Sequence, residues 1–75
     1  MKHVTLRALD CLNQKCSGRL HKLDGFPEAF FLIKSVDEKA DQIVFVRKNS
    51  ASEKAVALSE VSNVAQDHPR PKLLA

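Results

Sequence analysis

The sequence predicts a single α+β domain over residues 1–66: an N-terminal bent amphipathic helix packed on a small, strongly curved antiparallel sheet of three to five strands. Two observations carry that expectation. Leu6, Leu9, Leu12, Cys16, Leu20 and Leu23 recur at intervals of three, three, four, four and three, the spacing of one helical face. Beyond Ala29 the pattern changes to three apolar runs, Phe30-Phe31-Leu32-Ile33, Ile43-Val44-Phe45-Val46 and Ala55-Val56-Ala57-Leu58, with polar connections between them. Their β-branched and aromatic content suits strands.

Taken in order, Val4, Leu6 and Ala8 alternate with Thr5 and Arg7 as a short strand would, but the longer helical series outweighs that alternation. A first helix is therefore expected from about Thr5 to Cys16. Ser17-Gly18 interrupts it, because glycine inside a helix costs about 1 kcal/mol relative to alanine and is favoured just past a helix end. A second short helical or extended piece then runs to Leu23, and Asp24-Gly25-Phe26-Pro27 closes the segment with turn chemistry. Phe30 to Val36 reads as a strand apolar on both faces, which calls for a barrel or a covering helix. Asp37 to Asp41 is a polar hairpin connection, Gln42 to Lys48 a second strand, and Asn49 to Ser52 a loop. Lys54 to Leu58 is a third strand, Ser59-Glu60 a tight turn, and Val61 to Val64 a short last strand. Pro69 and Pro71 deny a ladder its donors, so residues 67–75 are expected to form a flexible tail.

Seventy-five residues leave room for one core, and a chain this short buries only about 60% of its unfolded surface. With 44% hydrophobic and 28% charged residues the composition is that of a globular domain, not a disordered segment. No apolar run approaches the roughly 20 residues of a membrane span, and Arg7 and Asp10 break up any signal-peptide core. The expected address is the cytoplasm. Cys11 and Cys16 agree with it, since a secreted domain of this size usually carries more cysteines as staples. On one helix they are rotated by about 140°, too divergent for a disulfide. The reading is of two free thiols, Cys16 on the apolar face and Cys11 nearer the polar side.

The net charge of +3 is concentrated at the front, where Lys2, Arg7, Lys15, Arg19 and Lys22 face only Asp10 and Asp24 before residue 26. On the helical reading Arg7, Lys15, Arg19 and Lys22 lie opposite the leucines. That array suits phosphates or an acidic protein surface, or else it is simply the solvated back of the helix. Arg47 and Lys48, closing the second strand, join them as candidate partner-binding or nucleic-acid-binding residues.

The Ile43–Val64 stretch, Ile-Val-Phe-Val-Arg-Lys-Asn, a loop, then Val-Ala-Leu-Ser-Glu-Val-Ser-Asn-Val, resembles the second half of the Hfq family and of the family of the Rho-binding inhibitor Rof. A helix, a bent sheet and a strand–tight turn–strand ending are likewise similar to Sm-like and SH3-like small barrels. The resemblance covers about a third of the chain and implies RNA binding in the first family and docking on transcription machinery in the second. The chain departs from it in lacking a glycine in the bent second strand and in having Lys54-Ala55-Val56 where Hfq has Tyr-Lys-His. No binding residue is carried over.

Catalysis finds no support. His3, His21 and His68 are scattered, no nucleophile occupies a recognisable elbow, and Asp37, Glu38 and Asp41 sit together at a hairpin tip. Cys11, Cys16 and His21 lack a fourth ligand and the close pairing of a structural zinc site. Gly18 and Gly25 are too few for a phosphate-cradling loop. No metal and no cofactor is expected. Tyr and Trp are absent and all four Phe lie between residues 26 and 45, where core packing is the expected use, so stacking platforms for single-stranded nucleic acid are not evident. Part of the leucine face is also available as an adhesive patch. The expectation is a small non-enzymatic regulator that docks on a protein of the transcription or RNA-handling machinery, an RNA polymerase- or Rho-type target, as small phage-encoded inhibitors do. The rival is direct RNA or DNA binding through the same cations.

Overall fold

A computed structural model describes residues 3–67. Helix α1 (His3–Gln14) leads into strands β1 (Gly18–Lys22), β2 (Glu28–Asp37), β3 (Gln42–Arg47) and β4 (Glu53–Ala57), then a 3-10 turn (Leu58–Glu60) and β5 (Val61–Gln66). The strands form one antiparallel sheet in the order β4-β3-β2-β1-β5. The α+β class is therefore as expected, with the strand count at the upper end.

Helix α1 is short and ends in a defined way. Cys16 N–H donates to the Cys11 carbonyl and Lys15 N–H to that of Leu12, both at 3.3 Å, and Lys15 takes φ 55°. These two bonds and one left-handed residue are a Schellman closure, which satisfies carbonyls the helix would otherwise leave bare. The bend placed at Gly18 is thus a helix end four residues earlier, and the piece after it is extended. Gly18 serves a different purpose. Inside β1 it lies opposite Phe30 and Gln66, where a Cβ would collide with the Ala65 carbonyl oxygen and come within 2.9 Å of Phe30 Cζ.

The helix buries Thr5, Ala8 and Cys11, with Val4 and Leu12 packed partly against the core. The leucine face assigned from sequence is corrected accordingly: Leu6 is more than half exposed and Leu23 still more so. A twelve-residue helix has no fourth turn to place residues 16, 20 and 23 on the same stripe. Leu20 is nevertheless buried, from β1. The cysteines are reversed, Cys11 being buried and Cys16 only half so; both are free thiols.

The core holds Ala8, Cys11, Leu20, Phe30, Ile33, Ile43, Phe45, Val56, Leu58, Val61 and Val64. Phe30 and Phe45 meet edge to face with ring centroids 6.3 Å apart, and each buried side chain of this size contributes about 1.5–3 kcal/mol. The strong curvature expected of the sheet is not found. It is neither closed nor strongly curled, and its two edges, β4 and β5, share no ladder. The expectation came from reading β2 as buried on both faces, and only one face is: Phe30 and Ile33 are inside while Phe31 is out. The Leu58–Glu60 turn that joins the edges is held by Asp41, whose carboxylate accepts from Ser59 N–H and Ser59 Oγ at 2.9 and 2.6 Å. Among the described residues no helix is long and apolar enough to cross a membrane. Asp67 receives the Ser17 hydroxyl at 2.8 Å; the rest of the tail expected at 67–75 lies outside the described residues.

Candidate interaction surface

One carboxylate organises the basic groups at the end of the core. Glu28 of β2 meets Lys22 of β1 at 3.6 Å, Arg47 of β3 through Nε at 2.9 Å and Lys54 of β4 at 3.1 Å. Four neighbouring strands thus supply one member each. Directly paired residues share a face of a sheet, so Glu28 opposite Leu20, and Lys54 opposite Phe45, lie on the core side. The Glu28 side chain is only 12% exposed. Burial works to raise its pKa, but the hydrogen bond and charge of Lys54 and the charges of Arg47 and Lys22 outweigh it and hold the carboxyl below its ordinary value.

On the other side of the sheet the ladder between β2 and β3 shifts twice. Phe30 and Leu32 pair with Arg47 and Val46, so Phe31 is the extra residue; Ile33 and Ser35 pair with Phe45 and Val44, so Lys34 is another. Each bulge inserts one unpaired residue and turns the chain. Phe30 and Ile33, three apart, therefore both point inward, and Phe31 is left 60% exposed. It lines a depression of about 580 Å³ with Leu32, Lys34 and Val46, walled by Arg47 to Ala51. A second depression of about 310 Å³ lies against Pro27, Glu28 and Ala29 and shares Arg47, Lys48, Asn49 and Ser50. Those four shared residues form a basic ridge between the two hollows. Phe26, next to Pro27, is 90% exposed.

The six cations singled out from sequence do not form one array. Arg7 is exposed on α1, its Nε donating to His3 Nε2 at 2.8 Å. Lys15 sits at the helix closure and Arg19 is exposed on β1. Lys22 and Arg47 are joined to Glu28, while Arg47 and Lys48 make the ridge. A basic helix face containing Arg7, Lys15, Arg19 and Lys22 does not exist, because the helix stops at Gln14. Sequence reasoning missed Glu28, Lys34, Lys54 and the exposure of Phe26 and Phe31. Lys34 carried a signal, as the polar interruption of an apolar run; Glu28 and Lys54 carried none.

Two of the three acidic groups of the β2–β3 hairpin are spent locally: Asp37 accepts from Ala40 N–H at 3.1 Å, and Asp41 holds the 3-10 turn, while Glu38 is exposed. Among the described residues no group of three or more His, Cys, Asp and Glu is placed to hold a metal ion. Burial, with the charges of Cys16 and Asp10, pushes the Cys11 thiol up to about 11, so it is protonated and unreactive at neutral pH. Compared with known families, curated proteins and solved structures, the chain matches none.

Proposed function

We propose that the protein is a small cytoplasmic regulator that acts by binding, without chemistry, and docks on a protein of the transcription or RNA-handling machinery. The observation that carries this reading is the Arg47–Ser50 ridge with Phe31 exposed beside it: apolar and cationic groups share a surface whose larger hollow contains no acidic side chain. Exposed aromatic and arginine side chains are the residues that interfaces favour. One helix, antiparallel strands and a strand–3-10 turn–strand ending agree in element order with the resemblance drawn from sequence, while the open sheet departs from a closed small barrel; the RNA polymerase- or Rho-type target rests on the sequence reading alone. The mechanism is occlusion, in which the ridge covers a surface that another factor needs.

A second reading, direct binding of RNA or DNA, gains from the same place, since Phe31 beside Lys34 and Lys48 has the elements of a stacking position in a basic groove. Co-elution with purified RNA polymerase and with a Rho-type helicase, alongside binding to single-stranded RNA across a salt series, separates the two. The proposed function expects a stoichiometric complex with one of the proteins and a shallow salt dependence. A nucleic-acid binder instead loses about 0.7–0.9 log unit of affinity per log unit of salt for each phosphate contact. RNA retention with that slope, and no protein complex, overturns the proposal.

A further inference from the structure

We infer that the hollow between Phe31 and Ala51 is the docking site, and that it takes an acidic segment of the partner carrying an apolar anchor residue. This rests on the reading of the protein as a protein-binding regulator and specifies where and what it binds. The floor is apolar: Phe31, Leu32 and Val46, on the sheet face turned away from α1 and the core. The rim is cationic, with Lys34 on one side and Lys48 on the other; Arg47 adds to the wall while its guanidinium is turned to Glu28 on the core side, and the remaining wall is Asn49, Ser50 and Ala51.

Charge complementarity selects the occupant. Two cations, Lys34 and Lys48, around an apolar floor with no carboxylate in its lining repel a basic segment and leave a purely apolar one unable to answer the rim. A segment with an apolar side chain set between carboxylates answers both parts. Lys34 projects from a bulge, a device that re-aims a side chain. Neither Phe31 nor Lys34 has a place in the core, so nothing about folding requires a phenylalanine and a lysine there.

The test uses the full chain, isotope-labelled, and three probes: a short peptide alternating Leu with Glu, the same peptide with Lys for Glu, and a single-stranded oligouridylate. Amide shifts and fluorescence anisotropy report location and affinity. The Leu/Glu peptide is expected to move the amides of Leu32, Lys34 and Val46 to Ala51, and the Leu/Lys peptide to move none. Phe31→Ser, and the pair Lys34→Glu with Lys48→Glu, are each expected to weaken it about tenfold or more. All three positions are exposed, so these variants keep the fold, which their amide spectra verify. Equal binding of the Leu/Lys peptide overturns the inference, as does displacement of the Leu/Glu peptide by oligouridylate from the same amides. Undiminished co-elution of Phe31→Ser with its protein target overturns it while leaving the proposed function intact. A wild-type chain that takes the Leu/Glu peptide at this site but elutes with neither target supports it and sinks the broader reading.

Discussion

Replacing Glu28 by Gln removes one charge and almost no volume, and so measures what the central carboxylate contributes. Two cases bound the effect. Exposed ion pairs contribute about 0.2–1 kcal/mol, whereas breaking a buried pair from one side costs about 3–5 kcal/mol. Glu28 is 12% exposed, but its partners Lys22, Lys54 and Arg47 are 27%, 39% and 53% exposed. Water takes up part of their charge when the carboxylate is gone, although the three cations are left facing one another. The expected loss is about 2 kcal/mol, and a domain of this size falls by about 4–8 °C for each kcal/mol. Thermal unfolding of Glu28→Gln at neutral pH is thus expected roughly 8–16 °C below wild type. The pH dependence follows from the sign of the shift. A carboxyl whose folded pKa lies below its unfolded value stabilises fully above the unfolded value, and that contribution is lost as pH falls through the folded one. For Glu28 the ordinary, unfolded value is 4.5. The gap between wild type and variant is therefore flat down to about pH 5 and narrows below 4.5. A gap under about 2 °C at neutral pH, or one that persists undiminished in acid, refutes the claim that Glu28 holds the three cations together.

Four further outcomes follow from single contacts. Gly18→Ala places a methyl group against the Ala65 carbonyl and the Phe30 ring and is expected to cost about 2 kcal/mol or more, read as a lower urea midpoint. Thr5 Oγ1 is buried without a hydrogen-bond partner among the described residues, so Thr5→Val is expected to raise stability by about 1 kcal/mol; a fall in melting temperature contradicts that. Lys15→Gly relieves a left-handed lysine at φ 55° and is expected to gain about 0.5–1 kcal/mol, seen as a higher urea midpoint. Under native conditions iodoacetamide is expected to label Cys16 and spare Cys11, whose thiol is raised to about 11, with mass spectrometry of the digest locating the adduct. Labelling of both at equal rates contradicts the burial of Cys11.

The strands were legible in the sequence because each apolar run is short, bounded by turn residues and long enough to cross the sheet once. The elements β2 to β5 begin and end within about two residues of their expected limits, which is as finely as strand ends are defined. The leading segment was harder. Its leucines keep helical spacing across a break the chain makes, because Leu20 enters the core from β1 on a strand's alternation and happens to fall at the next helical interval after Cys16. Periodicity registers position along the chain and is blind to a change of conformation that preserves the count. The closure itself had no glycine to announce it: Lys15 occupies the left-handed position, and the glycine three residues later belongs to the β1–Phe30 contact.

The same blindness explains the surface. Alternation along Phe30-Phe31-Leu32-Ile33 assigns two residues to each face, and that assignment is what called for cover on both sides. A bulge adds a residue without adding a step to the ladder, so the true inward positions are Phe30 and Ile33. One inserted residue thus changes Phe31 from core to surface, removes the need for a second covering layer, and leaves the sheet open with a single helix over it. The second bulge, at Lys34, places a cation beside the ring that the first exposed. Deleting Lys34 isolates this logic. It removes the extra residue, and because Ile33, Ser35 and Val36 already pair with the consecutive Phe45, Val44 and Ile43, it leaves a regular ladder with Val36 still inward and the strand flattened. The flattening and the loss of the Lys34 cation are expected to weaken the Phe31 hollow as a docking site while leaving the Glu28 cluster, on the N-terminal side of both bulges, in place.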